Sequence, residues 1–294
     1  MKTGTVAIIG RPNVGKSTLL NALLKEKIAI VSDKPQTTRT RILGVVHHPD
    51  AQIALLDTPG IHKPQHQLNR RMVRTTMDCI KEADLLYVMV DALTAPGPGD
   101  RFAIEQVREA QKGGRPPAFL LINKVDAVNK ARVLPLIDTY RRMLDWSEIV
   151  PLSAKDGINV DRLLGLTVTM LPEGEAGYGE DMLTDQPMRT LAAEIVREKI
   201  LNLTRDEVPY AVAVEITSFK EEGKLARIQA SIFVERDSQK AIVIGKHGER
   251  LKTIGTEARI DMERLFGMKV FLELWVTVKE SWREDEQMLV ELGY

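Results

Sequence analysis

The stretch "IIGRPNVGKST", residues 8–18, constrains the fold more than any other in this chain. It carries the spacing Gly10-x4-Gly15-Lys16-Ser17 directly after the apolar run "TVAII" and directly before the amphipathic "KSTLLNALL". Only a loop between a buried strand and a helix satisfies that context, and such a loop cradles phosphates: its backbone N–H groups converge, and the helix N-terminus favours an anion. Gly10, Arg11, Pro12, Asn13, Val14, Gly15, Lys16, Ser17 and Thr18 are therefore expected around a nucleotide, with Lys16 reaching the β and γ oxygens and Ser17 offering a hydroxyl to Mg²⁺.

The surroundings extend this to a domain. Through residue 171 the short apolar runs "QIALLD", "DLLYVMVDA", "PAFLLIN" and "EIVPLS" alternate with helical stretches such as "NVDRLLGLTVTML". Buried strands alternating with helices mark a doubly wound α/β domain with a mainly parallel sheet, assigned to residues 1–171. Residues 172–187, "PEGEAGYGEDMLTDQP", combine glycine, proline and acidic residues without an apolar period and read as a linker.

Three further strings complete the nucleotide site in order along the chain. "DTPG" places Asp57, Thr58, Pro59 and Gly60 at a strand end, with Asp57 suited to Mg²⁺ through a water and the Gly60 N–H to a γ-phosphate. "NKVD" offers Asn123, Lys124 and Asp126; the Asp126 carboxylate can accept from both N1–H and the 2-amino group of guanine, a donor pair that adenine lacks. "SAK" adds Ser153, Ala154 and Lys155 beside the base. The residue after Gly60, where many small GTPases carry a water-orienting glutamine, is Ile61, so slow intrinsic turnover is expected. His62 and His66 lie close enough in sequence to be weighed as bases, although loop histidines are more often simply exposed.

In these motifs the first domain resembles the TRAFAC-class GTPases, and the chain as a whole resembles the ribosome-assembly GTPases of that class. The segment "SDKPQTTRTRILG" is similar to their mobile switch loop, and the resemblance puts the Mg²⁺- and γ-phosphate-sensing threonine at Thr38, with Thr37 and Thr40 as competitors that spacing alone does not remove. It implies a catalytic set of Lys16, Thr38, Gly60 and Asn13, a metal set of Ser17, Thr38 and Asp57, and K⁺ as a further candidate cofactor at Asn13 beside GTP, GDP and Mg²⁺.

After the linker the pattern changes. A helix carrying Ala192, Ile195, Val196, Ile200 and Leu203 precedes the strands "YAVAVEI" and "ARIQASIFVER", joined around Gly223. There follow the apolar run "AIVIG" into "GKHG", a helix from Glu249, a second helix with Ala258, Met262, Leu265 and Phe266, and the alternating strand "KVFLELWVTVK". A GxxG alone means little, since Gly174 and Gly177 form another. Set in an α-β-β-α-α-β order, it resembles the RNA clamp of a type II KH domain, an α+β fold assigned to residues 188–280, with 281–294 as a tail. Ile244, Gly245, Lys246, His247, Gly248, Arg250 and Lys252 are then the expected RNA contacts; Ile242, Ile244 and Leu251 are divided between groove and core. Trp275 and Trp282 are weighed as base-stacking residues, with Trp275 expected to pack on a helix.

Bulk composition limits the rest. The 41 basic and 41 acidic residues give no overall electrostatic case for nucleic acid, so RNA must be met by a local patch. One cysteine, Cys79, excludes an internal disulfide and suits a small core position in a cytoplasmic protein. No apolar run reaches membrane-spanning length. The resemblance implies small-subunit ribosomal RNA and the small ribosomal subunit as partners, no DNA, a monomer, and peripheral contact with the inner face of the membrane, for which no amphipathic basic helix is evident. A P-loop metabolic enzyme is the first alternative, disfavoured by NKVD; a passive RNA chaperone is the second, disfavoured by the completeness of the nucleotide set.

Overall fold

The structure, a computed structural model, describes every residue except His62, Lys63, Gln65 and Arg115. The chain forms two compact units: residues 1–29, 38–65 and 69–185, and residues 30–37, 66–68 and 186–294.

The first unit runs β1 (Lys2–Ile9), α1 (Lys16–Leu24), β2 (Ile42–His48), β3 (Ala51–Asp57), α2 (Gln67–Glu82) from its third residue on, β4 (Leu85–Asp91), α3 (Pro98–Gln111), β5 (Ala118–Asn123), α4 (Val133–Arg141), β6 (Glu148–Pro151) and α5 (Val160–Met170). The sheet order is β2-β3-β1-β4-β5-β6. All neighbours are parallel except the β2–β3 pair. Every residue of β4 and of β5 is buried, as expected of parallel strands covered on both faces. Alternate side chains serve two cores: Ile8, Tyr87, Met89 and Phe119 join Leu19, Leu20 and Leu163 on one face, while Ile9, Val88, Val90 and Ile122 join Ile80, Ile104 and Val107 on the other. Cys79 is buried in the second of these cores, where burial pushes its thiol up to about 11.

Two expectations change here. The switch-like segment ends in a strand that the sequence reading did not separate, because "ILGVVHH" becomes β2, an antiparallel edge paired to β3 from Ile42↔Asp57 to His48↔Ala51. The segment 172–185, expected to link, belongs to the first unit. The Val45 N–H donates to the Leu183 carbonyl at 2.9 Å, and Gln52 and Tyr178 exchange two hydrogen bonds. An edge strand with unpaired N–H groups invites such a cover, which its composition does not announce.

The second unit contains α6 (Met188–Leu203), α7 (Val208–Ala211), β7 (Ala213–Glu222), β8 (Leu225–Val234), α8 (Asp237–Ile244), α9 (Glu249–Phe266), β9 (Lys269–Val278) and α10 (Glu286–Glu291). Its three-stranded sheet, β7-β8-β9, is antiparallel then parallel. Ala192, Val196, Ile228, Ile232, Val243, Ile254, Ala258 and Met262 form its core. The α-β-β-α-α-β order holds with different boundaries. The apolar run before GKHG, left without an element by the sequence, forms helix α8, and the two helices expected after it are one 18-residue helix, α9. The GxxG turn thus joins two helices. A short apolar run does not distinguish buried strand from helix, and here Val243 alone of "IVI" is fully buried.

Two tryptophans also depart from expectation. Trp275 is 47% exposed on the sheet face opposite the core, with Phe271 at 46% beside it, so it does not pack on a helix. Trp282 is 1% exposed and donates from Nε1 to the Ala211 carbonyl at 2.9 Å. Residues 281–294, expected as a tail, therefore fold into this unit through Trp282 and Leu289.

Candidate functional site

The phosphate loop lies between β1 and α1, at the carboxyl ends of the parallel strands where the order turns outward from β1, which is where open α/β sheets bind ligands. Its conformation is set by contacts that only glycine permits. A Cβ on Gly10 would stand 2.4 Å from the Met89 carbonyl oxygen, and one on Gly15, at φ 102, would stand 2.3 Å from Asn123 Nδ2. Gly60 presses on Pro12 in the same way, leaving 2.7 Å for a Cβ, and the Ile61 N–H donates to the Gly10 carbonyl at 3.1 Å.

The loop's carbonyls are tied by side chains. Lys16 Nζ donates to Gly10 and Arg11 at 3.2 and 3.1 Å, Lys124 Nζ to Asn13 at 2.8 Å, and Asn123 Nδ2 to Val14 at 2.8 Å. With acceptors occupied, the N–H groups of the loop are the polar atoms left to meet phosphate. Asn13 holds a left-handed φ of 64, a conformation costing a non-glycine residue about 1–2 kcal/mol that the surroundings must offset.

Three oxygens converge beside Lys16. Ser17 Oγ is 2.6 Å from Asp57 Oδ2 and 2.8 Å from Thr38 Oγ1, and Thr38 Oγ1 is 3.2 Å from the same carboxylate. Thr37 instead donates its hydroxyl to the Lys34 carbonyl at 2.7 Å, so of these two hydroxyls it is that of Thr38 that joins Ser17 and Asp57. Asp57 Oδ1 is buried without a hydrogen-bond partner, which suits a water of a hydrated Mg²⁺ ion. Burial pushes the Asp57 carboxyl up, opposed by Lys16 and by the Ser17 and Thr38 hydroxyls. Burial lowers the Lys16 ammonium to about 8, with Asp57 opposing and Arg11 adding to the effect. A divalent cation at this carboxylate would hold it ionised. The residues therefore fit Mg²⁺.

The base end is less crowded. Asn123 fixes the floor, with Oδ1 accepting from the Ala154 N–H at 2.9 Å, while the Ser153 hydroxyl accepts from the Asp156 N–H at 3.1 Å. Asp126 and Lys155 are exposed. The Thr58 hydroxyl is taken by the Ile8 carbonyl at 2.7 Å, which gives Thr58 a bracing part. Ile61 is 1% exposed in the core, far from a water-orienting role. His62 lies outside the described residues, and His66 Nδ1 is engaged 2.8 Å from the Glu284 carboxylate.

Sequence reasoning passed over Asp91 and Asp100. Both are nearly buried, at 6% and 2% exposure, and both face Arg11, whose Nε is 3.1 Å from Asp100 Oδ1 and whose Nη2 is 3.8 Å from Asp91 Oδ2. The Arg11 side chain thus points to these carboxylates, and only its backbone belongs to the cradle. A carboxylate ending the all-buried strand β4 was the available signal.

In the second unit, Gly245 at φ 74, His247 at φ 51 and Gly248 at φ 80 make a tight left-handed turn between α8 and α9. A Cβ on Gly245 would approach Arg250 Cβ to 2.7 Å, whereas one on Gly248 would meet nothing within 4 Å. The Gly248 side of the turn is therefore open to a backbone, at the positive end of an 18-residue helix. Lys246, His247 and Lys252 are exposed, Ile244 and Leu251 half-buried, and Ile242 exposed. Arg250 is half-buried and donates to the Ile242 carbonyl, so its guanidinium is partly spent within the turn.

Among the described residues, no helix is long and apolar enough to cross a membrane.

Comparison with known proteins agrees with both halves. A family described as 50S ribosome-binding GTPase matches residues 5–124, and one described as KH domain matches residues 207–283. The chain is 52% identical along its full length to the GTPase Era of Geobacter metallireducens, covering 98% of that protein, and 46% identical to the GTPase Era of Staphylococcus haemolyticus, covering 97%. It is similar to the crystal structure of Era in complex with MgGDPNP and nucleotides 1506–1542 of 16S ribosomal RNA, at 45% identity and a TM-score of 0.95, covering 100% of this chain and 99% of that one. A substituted Era from Aquifex aeolicus bound to GDP and AlF4⁻ is similar at 44% identity and a TM-score of 0.94, with the same coverage.

Proposed function

The chain belongs to the Era family of GTPases, and on that premise we propose that it is a GTP-hydrolysing switch that grips small-subunit ribosomal RNA through its KH domain during assembly of the small subunit. The convergence of Ser17, Thr38 and Asp57 beside Lys16 is the observation that carries this reading. Thr38 lies on the segment between α1 and β2, so a ligand joining Thr38 to Ser17 orders that segment.

The reading gives each residue a role. The N–H groups of residues 13–18 and Lys16 bind the phosphates; Ser17, Thr38 and Asp57 would hold Mg²⁺, which would supply positive charge to offset that of the phosphates. The Gly60 N–H meets the γ-phosphate, and Asn123, Lys124, Asp126, Ser153, Ala154 and Lys155 enclose guanine. No side chain at position 61 can orient water, which favours slow turnover and leaves transition-state stabilisation to the loop N–H groups and Lys16, to which K⁺ held at Asn13 would add positive charge. On the RNA side, Gly245 and Gly248 admit the backbone, Lys246, His247 and Lys252 meet phosphates, Arg250 shares its donors with the turn, and Ile244 lies under a base. The family reading places the protein in the cytoplasm as a monomer, and contact with the inner membrane face belongs to it only as an expectation.

The test compares binding of an RNA spanning nucleotides 1506–1542 of 16S ribosomal RNA in the presence of a GTP analogue and of GDP, alongside competition by ATP. Tighter RNA binding with the analogue and no competition by ATP are expected. Equal affinity for ATP, or no RNA binding in either state, would overturn the reading.

A further inference from the structure

The Arg11 side chain, leaving the phosphate loop, and Lys124, reaching it, meet at Asp91, and Asp100 holds Arg11 alone. Lys124 Nζ donates to Asp91 Oδ2 at 2.7 Å as well as to the Asn13 carbonyl at 2.8 Å. Arg11 donates from Nε to Asp100 at 3.1 Å and from Nη2 to the Thr94 hydroxyl at 2.9 Å, with Asp91 at 3.8 Å. Each carboxylate is itself fixed by backbone: the Leu93 N–H donates to Asp91 and the Gly97 N–H to Asp100, both at 2.9 Å. The stem of Arg11 lies over Gly99, where an added Cβ would stand 3.2 Å from Arg11 Cβ. Two cations and two carboxylates balance, so the loop gains bracing without presenting extra net charge to the ligand.

The consequence concerns the cradle. A loop that bends its N–H groups inward must hold its carbonyls outward, and Asn13 does so in a left-handed conformation that a free loop would abandon. Lys124 holds that carbonyl, and Asp91 fixes Lys124. Without Asp91, Lys124 would lose its carboxylate partner and with it its aim, while Arg11 would keep Asp100.

We propose that Asp91 and Asp100 are positioning residues of the nucleotide site, fixing Arg11 and Lys124 so that the phosphate loop is organised before nucleotide arrives. The proposal rests on the GTP-site reading. Neither residue touches phosphate or base; Asp91 acts through Lys124 on the Asn13 carbonyl, and Asp100 acts by anchoring the side chain of Arg11, whose backbone is part of the loop. GDP and GTP share the β-phosphate that the loop encloses, so loss of the brace weakens both alike.

The test uses the full chain with Asp91→Asn, Asp100→Asn and Arg11→Met, singly and with Arg11→Met combined with Asp100→Asn. Binding of fluorescent GDP and a fluorescent GTP analogue is measured with single-turnover hydrolysis at saturating GTP and thermal denaturation. Asp91→Asn is expected to weaken both nucleotides in parallel by about tenfold, the scale of one charge-assisted contact, with the saturated hydrolysis rate within about threefold of wild type. The Arg11 and Asp100 double substitution should lose no more than the worse single one, since the two act as a unit. Should Asp100→Asn fail to fold, Asp91→Asn, which keeps side-chain shape, decides. Folded variants binding both nucleotides as wild type does would overturn the brace, as would a loss confined to the hydrolysis rate. Failure of the wild-type protein to bind either nucleotide would instead sink the nucleotide-site reading itself.

Discussion

Asn13 and Lys124, 111 positions apart, both occupy the left-handed region, at φ 64 and 67, and are joined by a 2.8 Å hydrogen bond from the Lys124 ammonium to the Asn13 carbonyl. One belongs to the phosphate loop and the other to the guanine-recognition string. The bond makes the two halves of the nucleotide site a single constrained object, each half helping to offset the other's backbone cost.

The ammonium of Lys16 sets a pH limit. A phosphate-bearing ligand favours its charged form, so GTP affinity should be full below the lowered value of about 8 and fall above it, approaching tenfold per pH unit. For folding the sign is opposite. The unfolded chain binds more protons between about 8 and 10.5, so the penalty for burying this ammonium is full below that window and fades as pH rises through it. Nucleotide titrations from pH 7 to 9.5 check the first part; affinity independent of pH would refute it.

Base choice should rest on one exposed carboxylate. Asp126→Asn removes the acceptor pair for N1–H and the 2-amino group, and should weaken GTP by about 100-fold while improving xanthosine triphosphate, whose 2-oxo group accepts from the new amide. Competition binding with the two nucleotides reads this directly.

Potassium is the cation to test at Asn13. With Ile61 buried and no glutamine after Gly60, single-turnover hydrolysis should be faster in K⁺ than in Na⁺ at matched ionic strength. Equal rates would remove the monovalent ion from the mechanism.

At the RNA turn, Gly248→Asp should separate binding from folding. The position is open to a side chain but has φ 80, so stability should fall by only about 1 kcal/mol, while a carboxylate facing RNA phosphates should lower affinity at least about tenfold. Gel-shift titration and thermal denaturation together check the two parts.

The C-terminal segment should prove structural. Trp282→Ala removes a fully buried ring and its hydrogen bond to Ala211, and should destabilise the second unit by about 3–5 kcal/mol. Denaturant unfolding followed by circular dichroism measures it.

How much of this was legible beforehand depended on whether the information is local. The spacing from Gly10 to Ser17, the strand-end positions of Asp57 and Asn123, and the alternation of β9 are local patterns, and chain order alone allowed the GTP site to be assembled from them. Glycine at 10, 15 and 245 was written by steric need, which leaves a residue-level mark. Helix α8 could not be assigned beforehand because three apolar residues have no period, and only packing shows that Val243 alone turns inward. The cover on β2, the burial of Trp282 and the exposure of Trp275 depend on which surfaces meet, so composition was silent or misleading about them. The meeting of Thr38, rather than Thr37, with Asp57 and the pairing of Asp91 and Asp100 with Arg11 and Lys124 likewise belong to the tertiary structure. Sequence determined which groups the protein owns and the turns they require; distances between groups far apart in the chain were decided by folding, because hydrogen bonds and charge pairing act across space and leave no period in the sequence.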